Sequence, residues 1–246
     1  MLNVKLSAIF ILASIVLLSG CGGGGGSSGP SGPVTSTDSF PLAQAVAAKT
    51  AAGENRNFSA TATATGTASC SGSGNITEAP GTTATSFFYI TPTDTVSALS
   101  AVRTITLNWT NCTPASSVAT ETIYYNPNNY LPFGFNSTGV NYGAYLTAPT
   151  IPATVTVGAT GIIGTENLYT DSTEITSNGH IDGSYVVTAD TASTAIITEI
   201  GKIYDASSTL TATEQDAWRI TATGVLTRVT TNIQYTSGAN VTFTYN

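Results

Sequence analysis

Strict alternation of apolar and Thr-rich positions is the feature that most limits how this chain can fold. Ile105, Leu107 and Trp109 alternate with Thr104, Thr106 and Asn108. Ala60, Ala62 and Ala64 alternate with Thr61, Thr63 and Thr65. The pattern returns at Ile181–Val187, at Trp218–Gly224 and at Val241–Tyr245. A period of two sends successive side chains to opposite faces of a strand, so each segment predicts a half-buried strand. Asn178-Gly179 and Ser237-Gly238 are turn signals, the first typical of a two-residue hairpin. Strands joined by short turns pair antiparallel. With one apolar face each, they must curl or stack to cover it. The expectation is an all-β domain, an antiparallel meander closing as a barrel or a sandwich, with long strands from about Thr165 onward. TxT triplets recur without a fixed repeat, which fits an ordinary solvated sheet face and not a stacked solenoid.

One stretch breaks the period. Leu42–Ala52 (LAQAVAAKTAA) is Ala-rich and predicts a short helix. Asp38 or Ser39 is placed to cap it, Pro41 suits its first turn, and Gly53 is placed to end it. The globular domain is therefore expected over residues 39–246.

Charge narrows the function. Charged residues are 9% of the 246, the net charge is −7, and Lys plus Arg number 7. No basic stripe for nucleic acid can be assembled from these. There is no G-x-x-x-x-G-K phosphate loop and no G-x-S-x-G nucleophile elbow. The single histidine, His180, follows the predicted Asn178-Gly179 turn and has no evident catalytic partner. Asp182 and Asp190 lie on one strand face about 26 Å apart, too far for paired-carboxylate chemistry. Glu214 and Asp216 read as a solvated turn before Trp218. Neither a catalytic centre nor a cofactor is expected, and two distant cysteines plus one histidine make no zinc spacing.

The N-terminus carries the most specific motif. Met1–Lys5 holds one positive charge, and Leu6–Leu18 is nearly all apolar. At about 13 residues that run is shorter than the roughly 20 a spanning helix needs, and it fits a signal-peptide core. Leu18-Ser19-Gly20-Cys21 follows, and it resembles the lipobox of bacterial lipoproteins. The resemblance implies that residues 1–20 are a cleaved leader and that Cys21 bears the lipid. It also implies an outer-membrane address, because Gly22 is not the Asp that retains such proteins at the inner membrane. Residues 21–38 (with GGGGGSSGPSGP at 22–33) then form a flexible tether reaching about 20 Å. Once Cys21 is lipidated, Cys70 and Cys112 remain. Exported chains live where disulfides persist, so these two are expected to pair.

Ile123–Pro149 is rich in aromatic residues: Tyr124, Tyr125, Tyr130, Phe133, Phe135, Tyr142 and Tyr145, with no charge between Glu121 and Glu166. Three readings stand: a long loop plugging one end of the core, a ligand or partner surface, and a membrane contact. The helix-then-meander order resembles the half-barrel of lipoprotein-carrier proteins of the LolA/LolB type, a likeness of element order with no shared motif. The leading expectation is a lipid-anchored envelope protein with a binding or structural role, its partner an envelope polysaccharide, another envelope protein or an apolar ligand. The alternative is a lipid carrier or chaperone with an open barrel cavity; a hydrolase comes third.

Overall fold

The computed structural model describes residues 36–63, 69–88, 95–110, 112 and 114–246. The expected leader, Cys21, most of the expected tether and residues 64–68 lie outside the described residues. Among the described residues one helix, α1 (Leu42–Ala52), precedes thirteen strands. They are β1 (Glu54–Thr63), β2 (Ser69–Glu78), β3 (Thr83–Phe88), β4 (Thr95–Thr110), β5 (Ser116–Tyr125), β6 (Pro132–Ser137) and β7 (Asn141–Tyr145). Then come β8 (Thr160–Tyr169), β9 (Ser177–Ala189), β10 (Thr194–Tyr204), β11 (Leu210–Thr221), β12 (Leu226–Tyr235) and β13 (Asn240–Tyr245).

Sequential antiparallel pairing runs from β4 to β13, β13 pairs with β1, and β1 pairs with β2. The ring is completed by β2 against the second half of β4, Ser71–Glu78 facing Arg103–Thr110. The result is a closed antiparallel barrel of 12 strands, which decides between the barrel and the sandwich. Closure removes free strand edges. The remaining strand, β3, pairs with the first half of β4, Thr95–Ser100, and so continues the line of β2 outside the ring.

Period two sorts side chains as the alternation predicts. Ile105, Leu107 and Trp109 are buried in the lumen, as are Ile181, Val187, Ile220, Val241 and Phe243. Burial of each such side chain contributes about 1.5–3 kcal/mol. One apolar cluster fills the end built by Phe58, Ile76, Leu107, Leu168, Ile233 and Phe243. A second, around Leu42, Val155, Val187, Ile197 and Ile220, fills the other end with α1 packed into it. A third lies outside the ring. There the β3–β4 hairpin lays Phe87 over Tyr124, Phe133 and Tyr142, with ring centres 4.7, 6.3 and 5.4 Å away. Gly134 makes room for it, since any side chain there would meet the Phe87 ring.

The helix has the predicted bounds, but its start differs from expectation. Pro41 is the N-cap and no side chain caps the first turn. Asp38 and Ser39 are displaced from that role because Phe40 is drawn into a bridge with Val155, which fixes the chain one residue before the helix. Gly53 ends the helix as predicted, at φ +75°, its N–H donating to Lys49 O.

Asn178-Gly179 is not a turn; both residues lie inside β9. The connection runs over 170–176, where Asp171 accepts hydrogen bonds from the amide and hydroxyl of Thr173. Gly179 instead serves a close strand approach. It sits at φ +123°, and a Cβ there would run into the Tyr204 carbonyl oxygen. Gly179→Ala is therefore expected to destabilise by at least about 2 kcal/mol; a chemical-denaturation midpoint unchanged from the parent would contradict this. Cys70 and Cys112 form the expected disulfide, Cα atoms 5.8 Å apart, fastening β2 to the segment after β4.

Candidate functional site: an ionic belt beneath the barrel mouth

The two lumenal apolar clusters are separated by charge. All but one of the glutamates, together with Asp216, Lys49, Arg103 and Arg228, line this belt. Parity places the acids and Arg103 there, on the same face as the buried apolar residues of their strands; Arg228 enters through the register shift between β11 and β12, and Lys49 comes from α1. Glu54, Glu78, Arg103 and Glu121 are successive cross-strand partners on β1, β2, β4 and β5, a single row across the wall. Arg103 donates through Nε to Glu78 (2.8 Å) and through Nη1 to Glu121 (3.1 Å). From α1, Lys49 Nζ reaches Glu78 (2.8 Å) and Glu54 (3.4 Å). Tyr125 donates its hydroxyl proton to Glu78 at 3.3 Å.

The facing wall holds Arg228. Its Nη1 donates to Asp216 (2.7 Å), its Nε lies 3.4 Å from Glu54, and its guanidinium carbon sits 4.1 Å above the Trp218 ring. Thr231 also donates to Asp216. Glu214 and Asp216 are thus buried on β11, 4% and 1% exposed, not solvated at a turn. They follow the inward parity of Ala212, Trp218 and Ile220.

Bases in the belt are fewer than acids, and protonation absorbs the difference. Burial pushes Glu78 up, but Arg103 and Lys49 outweigh it and hold its carboxyl down at about 2. Glu54 is lowered in the same way, burial being overcome by Arg228 and Lys49. The remaining acids go the other way. Burial pushes Glu121 up to about 7, against the pull of Arg103. It pushes Glu166 to about 8, with help from Glu121, and Glu199 to about 7, with help from Asp216. Glu214 is raised as well, by burial and by Asp216. An ionised carboxylate without a partner is costly in such surroundings.

Space adjoins the belt on the α1 side. A cavity of about 120 Å³ is bounded by Leu42, Val46, Ile123, Ile197 and Trp218, with Arg103, Arg228 and Glu199 in its wall. A second, about 100 Å³, lies against Leu42, Val46, Tyr145, Ile163, Ile197 and Glu199. A third, about 40 Å³, lies between Glu121, Phe135, Tyr145 and Glu166. Pro132 borders all three, and α1 borders the first two. An open polar cleft of about 420 Å³ shares Lys49, Trp218, Leu226 and Arg228 with the first cavity.

The aromatic stretch is not a loop. It forms the end of β5, then β6 and β7, and its side chains divide between two faces. Tyr125, Phe135 and Tyr145 enter the lumen, whereas Tyr124, Phe133 and Tyr142 join the outer cluster under Phe87. Tyr130, at φ +59°, lies in the β5–β6 connection at the edge of the first cavity. The structure thus brings these residues together as two packed layers and not as one exposed surface. His180 stacks on Tyr204 with ring centres 4.5 Å apart, and its Nε2 is 4.0 Å from Asp182. Asp190 pairs with Arg219 at 2.6 Å. None of these borders the cavities.

Fold and site together define a closed antiparallel barrel with a helix in its mouth and an ionic belt below. No protein-family description matches the chain, and no curated protein does. Two solved structures are similar to it. One is a LolA superfamily protein from Nitrosomonas europaea, 9% identical, with 83% of this chain and 91% of that chain covered at a TM-score of 0.33. The other is a DUF1329 family protein from Desulfovibrio piger, 7% identical, with 84% and 92% covered at 0.27.

Proposed function

We propose that the protein is a membrane-tethered binding barrel of the bacterial envelope, whose lumen holds a small apolar or amphipathic molecule beneath α1. In this reading Cys21 carries the lipid, residues 21–38 are the leash, and residues 39–246 are the receptor. Its role is binding and not catalysis. The observation that supports it is the pair of apolar-walled cavities sharing Leu42, Val46, Pro132, Ile197 and Glu199. A dry cavity of about 150 Å³ accepts a benzene-sized guest. Each cavity here is smaller than that and suits a short chain, and a longer chain requires α1 to give way. The polar cleft beside Arg228 and Trp218 offers a place for a headgroup. A ligand of lipid-like character is proposed over polysaccharide; in support, most of the aromatic side chains a sugar would stack on are packed in the lumen or under Phe87.

Native mass spectrometry of protein extracted from its own membranes tests this. The expected spectrum shows the chain carrying a small co-purifying molecule, lost in Ile197→Trp, which fills both cavities. Cys21→Ser is expected to leave the membrane fraction. An empty barrel whose Trp218 emission also ignores millimolar hexan-1-ol would sink the binding reading.

A further inference from the structure

Four carboxyls of the belt have an oxygen without a hydrogen-bond partner, Glu121 being held by Arg103 through its other oxygen only. Glu121 Oε2 and Glu214 Oε2 are buried with no hydrogen bond, on residues 2% and 4% exposed. Glu166 and Glu199 make no side-chain hydrogen bond or ion pair with any described residue. These carboxyls are also placed against space. Glu199 borders the first and second cavities, and Glu121 and Glu166 border the third. The cations of the belt are already engaged: Lys49 by Glu54 and Glu78, Arg103 by Glu78 and Glu121, Arg228 by Asp216 and Glu54.

We propose that the lumenal site selects an aliphatic ammonium: an amine-bearing amphiphile whose apolar body lies along Leu42, Val46 and Ile197 and whose N–H donors meet Glu199. This rests on the binding role proposed above and specifies its ligand class. Glu199 is half-buried against the apolar wall, so a guest cation meets an acceptor that the fold has already parted from some of its water. It gains charge-assisted hydrogen bonds that a hydroxyl does not make. An organic cation is favoured over a metal ion, because among the described residues no three His, Cys, Asp or Glu side chains group as metal ligands. Two donors point the other way. Trp218 Nε1 and Arg228 Nη2 are also unpartnered at the first cavity. An anionic headgroup there would, however, face Glu199 in the same wall, and would meet an Arg228 already paired with Asp216 and Glu54.

Three probes of one length separate the cases: hexylamine, hexan-1-ol and hexanoate, titrated into the full chain carrying Trp109→Phe, so that Trp218 alone emits, and read by that emission and by calorimetry. Hexylamine is expected to bind at least about tenfold tighter than hexan-1-ol, and hexanoate more weakly than either. In Glu199→Gln the amine advantage disappears while hexan-1-ol affinity is retained, which also reports that the cavity is intact. Should that variant not fold, the wild-type ratio of amine to alcohol decides alone. Equal binding of amine and alcohol, or a preference for hexanoate, overturns the ammonium assignment and leaves the apolar cavity standing. Binding of none of the three overturns both readings.

Discussion

Arg103→Met is expected to cost about 3–5 kcal/mol, the largest effect of any single substitution in the belt. Arg103 is 7% exposed and bridges Glu78 and Glu121 across three adjacent strands. Its loss leaves Glu78 with Lys49 and the Tyr125 hydroxyl, and leaves Glu121 with nothing. Thermal unfolding should fall by about 10 °C, at roughly 2–4 °C per kcal/mol for a domain of this size. The triple change Arg103→Met, Glu78→Met, Glu121→Leu should recover much of that. Replacing a whole buried ionic group by apolar side chains is often neutral, whereas removing one member is not. A single-variant loss below about 1 kcal/mol would mean that water reaches the belt and screens it.

The second large effect is on the pH profile. Glu121, Glu166 and Glu199 have folded-state values of about 7, 8 and 7 against an ordinary 4.5. The stability linked to their protons is complete below pH 4.5, drains away as pH rises toward 8, and is level beyond. Glu54 and Glu78 are lowered, so their share is complete above pH 4.5 and drains as pH falls toward 2. The two slopes meet near pH 5, where the barrel should be most stable. Each pH unit by which a carboxyl holds its proton longer in the fold is worth about 1.4 kcal/mol. Even after heavy screening, melting at pH 8 should lie at least about 5 °C below melting at pH 5. Glu166→Gln removes one contributor and should flatten the descent. A melting temperature that is level or rising from pH 5 to 8 would contradict the raised values. The direction runs against the behaviour of an ordinary acidic protein, which loses stability mainly toward low pH.

The barrel wall was readable and its contents were not. Ile105, Leu107 and Trp109, and likewise Val241, Phe243 and Tyr245, declare their strands because Thr or Asn fills every intervening position. The stretch Tyr124–Tyr145 hides its strands because aromatic residues occupy both parities, one set for the lumen and one for the cover laid down by Phe87. Asn178-Gly179 carries the local signature of a hairpin, but the approach of Tyr204 overrides it with a tertiary demand. The belt was missed for a different reason. Charge ordinarily marks the solvent face, and by that rule Glu214 and Asp216 suggest a turn. Parity held the correction: Glu78 shares its face with Ile76, Arg103 with Ile105, Glu121 with Ile123, Glu199 with Ile197 and Asp216 with Trp218. In a chain with so few charges, several on the apolar parity of successive strands are a sign of a polar lumen. No residue pattern announced which of these would lack partners, because that depends on how neighbouring strands align.

The seam of the ring has a kinetic consequence. β1 meets β13, with Phe58 opposite Tyr245 and Thr63 opposite Asn240. Circularisation must therefore await the strand farthest along the sequence, and loop-closure entropy makes such distant pairing slow. Until then the acids of the interior remain hydrated and the arc has two open edges. Under the export proposed above, that delay would be an asset: compaction before translocation is disfavoured until the final hairpin arrives.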